Sequence, residues 1–453
     1  MSHSSSHAAS GTGHADHAHH GHGVDRAKLL RVDNITMAPG SGSIAMPLMA
    51  IGGLGLLITL GAGLAGIVTP KHALAVYHIG VLAVLGICLG SMFFVMAFHL
   101  TNAGWASTIR RTFENVMSFL PFAFLMMMVV LVVEILTQGK MFLWLRPEMH
   151  SDYLLQKKWV FFYWPMGKPK GGEPGFIFPA FFVLRAVIYG VVWTLLSRRL
   201  LALSKAQDST TNIAASAQAR RTSAWGMLIF ALTTAFAGFD WLMSLDFKFF
   251  STMWGVYFFA GANFGAIATV TALLAWIRSK RKLEGVVTTE HFHDLGKLMF
   301  SFSVFWAYIA FSQYFLIWYS NIPEETAFYL HRKENGWQFL TYFLIMGHFF
   351  TPFLILIHRP VKRAPGILLL VGAFMVLAHI LDLYWIVRPT VFSYALDAEE
   401  TPAVLGFLWL DAAAILGPLL IMLGFVIRQI TTTQLVPAHD AWIGDALEHK
   451  NYV

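Results

Sequence analysis

Cysteine is almost missing from this chain: Cys88 is the one thiol in 453 residues. A lone cysteine excludes a disulfide framework. There is no C-x-x-C-H site for covalent haem and no set of thiolates for an iron–sulfur cluster. If the protein works in electron transfer, other chains carry the electrons. Charge is scarce as well. Charged residues make up 13% of the chain, about half the ~25% usual for soluble domains. Apolar residues make up 57%, and the mean hydropathy is +0.60. So much apolar surface does not fit inside one water-bounded core, so lipid is the expected solvent.

What the chain does have is long apolar runs. Ten windows of membrane-spanning length lie near 48–67, 74–98, 117–136, 177–197, 222–244, 251–277, 296–319, 337–357, 366–387 and 404–428. A span must satisfy its backbone internally, and these runs are too long and too evenly apolar for barrel strands. The expectation is an all-α integral membrane fold of ten helices. Lys and Arg set the orientation: twenty of the 32 fall on the side shared by both termini and 11 on the other, with Arg185 inside a span. Both termini are therefore expected in the cytoplasm. The same bias accounts for the net charge of +7, leaving no reason to invoke nucleic acid. Residues 1–30 read as a disordered His-rich cytoplasmic tail, with seven histidines among the first 23 residues and no apolar core of a signal peptide. Residues 31–430 form the membrane domain, with a long outer loop at 138–176, and 431–453 a cytoplasmic C-terminal tail.

The stretch FDWLMSLDFKFFSTMWGVYFFAG (239–261) places three charges in an apolar, aromatic run. Asp246 and Lys248 fall in the outer turn between the fifth and sixth spans, where water is expected, and Trp241 and Trp254 flank it like an interfacial belt. Asp240 falls inside the fifth span. Charges at such depth are costly and mark functional candidates. Glu134, Arg185, His78, His348, His379, Asp382 and Asp411 belong to the same class, and His379 and Asp382 share one helix face. Nearly all of them lie in the outer halves of their spans, above inner halves close to pure hydrocarbon. That layout suggests a protonatable cavity open to the outer side. Each also has a plainer reading: Arg185 paired with Glu134 or Asp240 for structure, His379 bonded to Asp382, Asp411 at a kink or the headgroups, and His348 satisfied by a carbonyl. His78 and Glu134 would then simply be wet.

Three further segments carry weaker signals. TTEHFHDLGK (288–297) sets His291, His293 and Asp294 close together, either as metal ligands or as an ordinary helix entry. Arg110, Arg111 and Glu114 read as cytoplasmic anchors. The outer loop carries Trp144, Trp159, Tyr163 and Trp164 ahead of PMGKPKGGEPG (165–175), and suits either a surface segment meeting a partner or one packed on its own bundle.

Several segments together resemble the NrfD/polysulfide-reductase membrane-subunit family: AFHLTNAGWASTIRRTFENVM (97–117), the 239–261 stretch, HFHDLGKLMFSFSVFWAYIAFSQYFLIWYSNIPEET (291–326), HFFTPFLILIHRPVKR (348–363) and HILDLYWIVRP (379–389). Within it the chain is most similar to the ActF-type subunits of alternative complex III, over about residues 45–430. The resemblance implies two central four-helix bundles, helices two to five and six to nine, with helices one and ten flanking them. It implies a menaquinol or ubiquinol near the outer surface, and partners comprising an iron–sulfur subunit, a second (ActC-type) membrane subunit, a multi-haem cytochrome and lipid. No quinol-ligand motif carries over residue by residue, and the ActF-type copy is expected to supply a proton path or a structural partner.

Three rival readings remain at this point. A secondary transporter would show broken helices in matching positions of two halves, with Pro121 and Pro352 as the hints. A haem-b cytochrome would use His78, His99, His348 or His379, although His78 and His99, 21 residues apart, are about 32 Å apart along a helix and cannot share one haem. A purely architectural subunit would carry no chemistry.

Overall fold

The computed structural model describes residues 26–168, 175–393 and 408–451; the His-rich start and most of the Gly/Pro segment after Trp164 lie outside the described residues. Among the described residues ten helices are long and apolar enough to cross a membrane: α1 (Ala45–Leu64), α2 (Pro70–Leu100), α3 (Gly104–Leu136), α4 (Ala180–Lys205), α5 (Ile213–Leu245), α6 (Trp254–Ser279), α7 (Thr289–Ser320), α8 (Trp337–Leu356), α9 (Pro365–Phe392) and α10 (Trp409–Thr432). Among the described residues there is no strand, and the fold is that of an all-α integral membrane protein.

Helices α2 to α5 close into one four-membered ring and α6 to α9 into a second, each helix touching its two ring neighbours. The rings join where α2 packs on α6; α10 lies against α2, and α1 packs on α10. Burial follows position: 89% of an apolar 18-residue window is buried in α2 and in α6, against 22% in α1. Lipid tails are as apolar as leucine, so such helices associate by close approach rather than by escape from water. Glycine permits that approach. A Cβ at Gly90 would lie 2.4 Å from the Ala262 carbonyl oxygen, and one at Gly52 2.6 Å from that of Gly417.

The third crossing begins earlier than the apolar window suggested. A helical turn at Gly104–Ala106 leads into the helix Ser107–Met117, which bends at 118–119 into Leu120–Leu136. Every residue of Ser107–Met117 is buried. Arg110, Arg111 and Glu114 are therefore not solvated anchors. Arg110 donates to Glu114 (3.0 Å) and Asp440 (2.6 Å), and Arg111 donates to Asp208 (2.6 Å) and lies 3.1 Å from Glu114. Expected in the loop between the second and third spans, these residues instead form an ionic network with Asp208 and Asp440 at the start of α3. The C-terminal segment packs back on the bundle. Leu435 N–H donates to the Ile35 carbonyl (2.8 Å), a short helix forms at Ile443–Leu447, and His449 lies 2.6 Å from Asp294.

On the opposite face, the 138–168 segment packs on its own bundle. Its helix Tyr153–Tyr163 lies on α4. Trp144, Trp159 and Tyr163 are buried, and Trp144 stacks on Phe162 at 4.1 Å; Trp164 is exposed. Trp241 and Trp254, expected at the lipid interface, are buried between helices. Asp246 is also buried. It caps the turn by accepting from the backbone N–H groups of Lys248 (3.0 Å) and Phe249 (3.2 Å). A buried carboxylate needs hydrogen-bond donors, and two of them here are backbone N–H groups of the turn itself.

Candidate functional site

The buried ionisable residues of the spans fall into separate clusters. In the first ring, Arg185 on α4 grips Asp240 on α5 through two parallel bonds, Nε to Oδ2 (2.9 Å) and Nη2 to Oδ1 (2.6 Å). The Tyr189 hydroxyl donates to the same carboxylate (2.7 Å), and the guanidinium stacks over Phe161 at 4.0 Å. Every strong demand of this pair is met, which is the signature of a structural bridge. Glu134 takes no part in it: its carboxylate accepts from the backbone N–H groups of Met141 (3.0 Å) and Phe142 (3.0 Å), tying the end of α3 to the loop. His78 meets the Trp241 carbonyl at 2.9 Å.

A second cluster gathers around Asp411 on α10. His72 at the start of α2 lies 2.6 Å from one carboxylate oxygen, the Tyr384 hydroxyl donates to the other (2.7 Å), and Arg388 stands 3.9 Å away. Here too the acid has a full set of partners.

Asp382 on α9 differs. It is buried, and its contacts are neutral donors: the Tyr257 hydroxyl from α6 (2.5 Å) and the Trp306 indole N–H from α7 (3.1 Å). No ion pair reaches it among the described residues. His379, one turn away, is pressed against bare backbone on two other helices. Cβ atoms at Gly86, Gly261 and Gly265 would lie 3.4, 3.4 and 2.8 Å from its ring. His348 on α8 stacks between Trp306 (3.7 Å between centroids) and Phe264 (4.1 Å). The ring nitrogens of His348 and His379 are buried without a hydrogen-bond partner among the described residues, as are both amide atoms of Gln313 on α7. Buried polar groups normally find partners, so a concentration of exceptions needs an explanation.

Around His348 the backbone departs from α-helical geometry. Residues Leu344–Phe350 form a π-helical stretch, and the Thr351 N–H donates to the carbonyl of Met346, five residues back. Such bulges are frequent at functional sites. Helices α7 and α8 pack mainly along Leu344–Leu356. They also frame a cavity of about 900 Å³, lined by Trp254, Tyr257, Trp306, Tyr329, Arg332 and Trp385 among others. Tyr308, Phe311 and Tyr342, which also line it, are exposed. Tyr257 and Trp306 thus form the cavity wall on one side and hold Asp382 on the other.

The structure therefore brings His348, His379 and Asp382 together and keeps Arg185–Asp240, Glu134, His78 and Asp411 apart from them. Tyr257, Trp306 and Arg332 escaped the sequence reading, the first two as members of a 15% aromatic background. Arg332 had counted only as a loop cation, yet it is buried, donating to the carbonyls of Trp385 (3.0 Å) and Ile386 (2.7 Å) and to the Thr390 hydroxyl (2.8 Å). At the other face His291 caps its own helix through Thr288, and Asp294 binds Lys297, His449 and Asn451. Among the described residues no group of three or more His, Cys, Asp or Glu is placed to hold a metal.

Comparison with protein-family models gives no match, and neither does comparison with curated proteins.

Proposed function

We propose that this chain is an integral membrane subunit of a quinol-oxidising respiratory complex of the NrfD/polysulfide-reductase kind, most like the ActF-type subunit of alternative complex III. Its place is the bacterial cytoplasmic membrane, both ends in the cytoplasm, beside an iron–sulfur subunit, an ActC-type membrane subunit and a multi-haem cytochrome. The motif resemblance supports this reading, and so does the pairing of two four-helix rings. Oxidation of a menaquinol or ubiquinol releases two protons for every two electrons, and the membrane subunits have to receive them.

One observation carries the reading: Asp382 is a buried acid whose partners among the described residues are neutral donors, Tyr257 and Trp306, and these two line the cavity in front of it. A paired carboxylate such as Asp240 is gripped by the Arg185 guanidinium through two parallel bonds. A carboxylate without a cation can take up and give back a proton at modest cost. His379 lies one turn away on the same helix and His348 stacks on Trp306; the ring nitrogens of both lack a hydrogen-bond partner among the described residues, and imidazole is the right kind of group to relay such a proton. Arg185–Asp240 and the Asp411 cluster hold the helices in register.

The test is Asp382→Asn in the assembled complex. An amide keeps the shape and cannot accept the proton, so quinol-dependent turnover should fall by about 100-fold or more, or lose its coupling to proton movement. Unchanged turnover and unchanged coupling would remove Asp382 from the mechanism.

A further inference from the structure

We propose that the flank shared by α4 and α5 binds an anionic phospholipid, its phosphate held between Arg199 and Arg221 and its acyl chains laid along the two helices. The site stands apart from the Asp382 cluster and needs no quinol chemistry.

Charge marks the place. Between Val191 and Phe239 the sequence carries five cations, Arg198, Arg199, Lys205, Arg220 and Arg221, against one acid, Asp208. That acid is already taken, since Arg111 donates to it at 2.6 and 3.1 Å. All five cations are exposed, and no ion pair reaches them among the described residues. The cations at the turn between α6 and α7 differ. There Arg278 donates to the carbonyl of Lys282 (3.1 Å), and Lys282 to that of Asp33.

One of the five is set in advance. Arg199 Nε donates to the hydroxyl of buried Thr222 across the contact between α4 and α5 (3.0 Å). The bond brings the two flanks side by side, next to Arg221. It also leaves both terminal nitrogens of the Arg199 guanidinium without a partner among the described residues. A fixed guanidinium fork with free donors matches the geometry of a phosphate.

Below the cations lies an apolar strip. On α4 the exposed residues Leu195, Val191 and Ile188 follow Arg199 at steps of one turn, and on α5 Trp225, Leu228 and Leu232 follow Arg221. Each strip ends 11 residues from its arginine, or ~16 Å of helix, close to the ~15 Å depth of one leaflet. Trp225, one turn from Arg221, has the place of an indole at a membrane interface. A soluble phosphate meets only the cations. A folded acidic protein covers them and leaves the strip in lipid. A zwitterionic lipid brings a cation of its own to a cationic face. An anionic phospholipid meets both halves of the site, as expected for basic grooves between spans.

The experiment uses the full chain in phosphatidylcholine vesicles carrying a rising fraction of dibrominated phosphatidylglycerol or of dibrominated phosphatidylcholine. Bromine quenches the indoles it touches, and the Trp225 signal is the difference between the chain and its Trp225→Phe variant. Phosphatidylglycerol should be preferred at Trp225 by about fivefold or more, two guanidiniums acting on one phosphate. Arg199→Gln combined with Arg221→Gln should bring the two lipids to within about twofold of each other, while quenching by brominated phosphatidylcholine, which reports an intact fold, stays unchanged. Arg199→Lys with Arg221→Lys keeps the charge and loses the fork, and should fall between. An equal response of the unmodified chain to both lipids overturns the site. So does a preference that survives the glutamine pair. If that pair alters the phosphatidylcholine signal, the lysine pair decides, and a preference equal to that of the unmodified chain overturns the site. A preference removed by inorganic phosphate but not by chloride at the same ionic strength assigns the cations to a soluble anion, against the proposal. Saturable binding of a polyglutamate peptide with no preference between the lipids assigns the face to an acidic protein, also against it.

Discussion

Two aspartates of this protein show how environment sorts one residue type into two roles. Asp240 and Asp382 are both fully buried in spans. Asp240 faces a guanidinium in bidentate contact and a tyrosine hydroxyl; Asp382 faces a phenol and an indole. Removing one member of a buried ion pair strands the other charge, at a cost of about 3–5 kcal/mol. Arg185→Ala should therefore lower the thermal unfolding midpoint of the detergent-solubilised chain strongly, while Asp382→Asn, which strands no charge, should leave it nearly unchanged. Equal effects of the two substitutions would contradict the division of roles.

Among the elements, the 138–168 segment is one whose stability should respond to pH. His150 is buried there against Tyr163, 3.0 Å from its hydroxyl, with its ring edge-on to Trp159. Burial holds its imidazole below the ordinary value, so the folded segment favours the neutral ring. A base with a depressed folded-state pKa binds fewer protons when folded than when unfolded. Its segment is then fully stable above the unfolded value of about 6.5 and loses stability as pH falls below it. Hydrogen exchange over 141–163, corrected for intrinsic rates, should quicken between pH 7.5 and pH 5, and His150→Gln should flatten the response. The helix Ser107–Met117 shows why another element was hard to read. It carries Arg110, Arg111 and Glu114, so no hydropathy window includes it, and only the partners Asp208 and Asp440, 97 and 330 residues away in sequence, reveal that its charges are buried.

At the scale of the whole molecule, the α2–α6 seam joins the two rings, and its spacing depends on Gly90. A side chain there would meet the Ala262 carbonyl oxygen at 2.4 Å and the Ala266 methyl at 2.7 Å. Backbone cannot step aside as a flexible side chain can, so Gly90→Leu must part the rings. A destabilisation at or above the ~1–3 kcal/mol typical of overpacking is expected, seen as loss of a monodisperse peak in size-exclusion chromatography. Gly53→Leu, where nothing lies within 4 Å, should behave like the unmodified chain. The same seam presses Gly265 onto His379, so parting the rings should also disturb the Asp382 site.

Hydropathy alone determined that this is a ten-helix membrane protein, because a bilayer rewards apolar length whatever the helices later touch. Charge scarcity likewise made Asp240, Asp382, His379 and Arg185 stand out by number. Their roles were decided only by tertiary structure. Whether a buried carboxylate meets Arg185, the backbone of Met141, or the neutral donors Tyr257 and Trp306 depends on which helices lie side by side. The same holds for Asp246, Trp241 and Trp254, read as wet or interfacial and found buried. A hydropathy window weighs each residue alone, while desolvation and pairing are properties of neighbours brought together from distant parts of the chain.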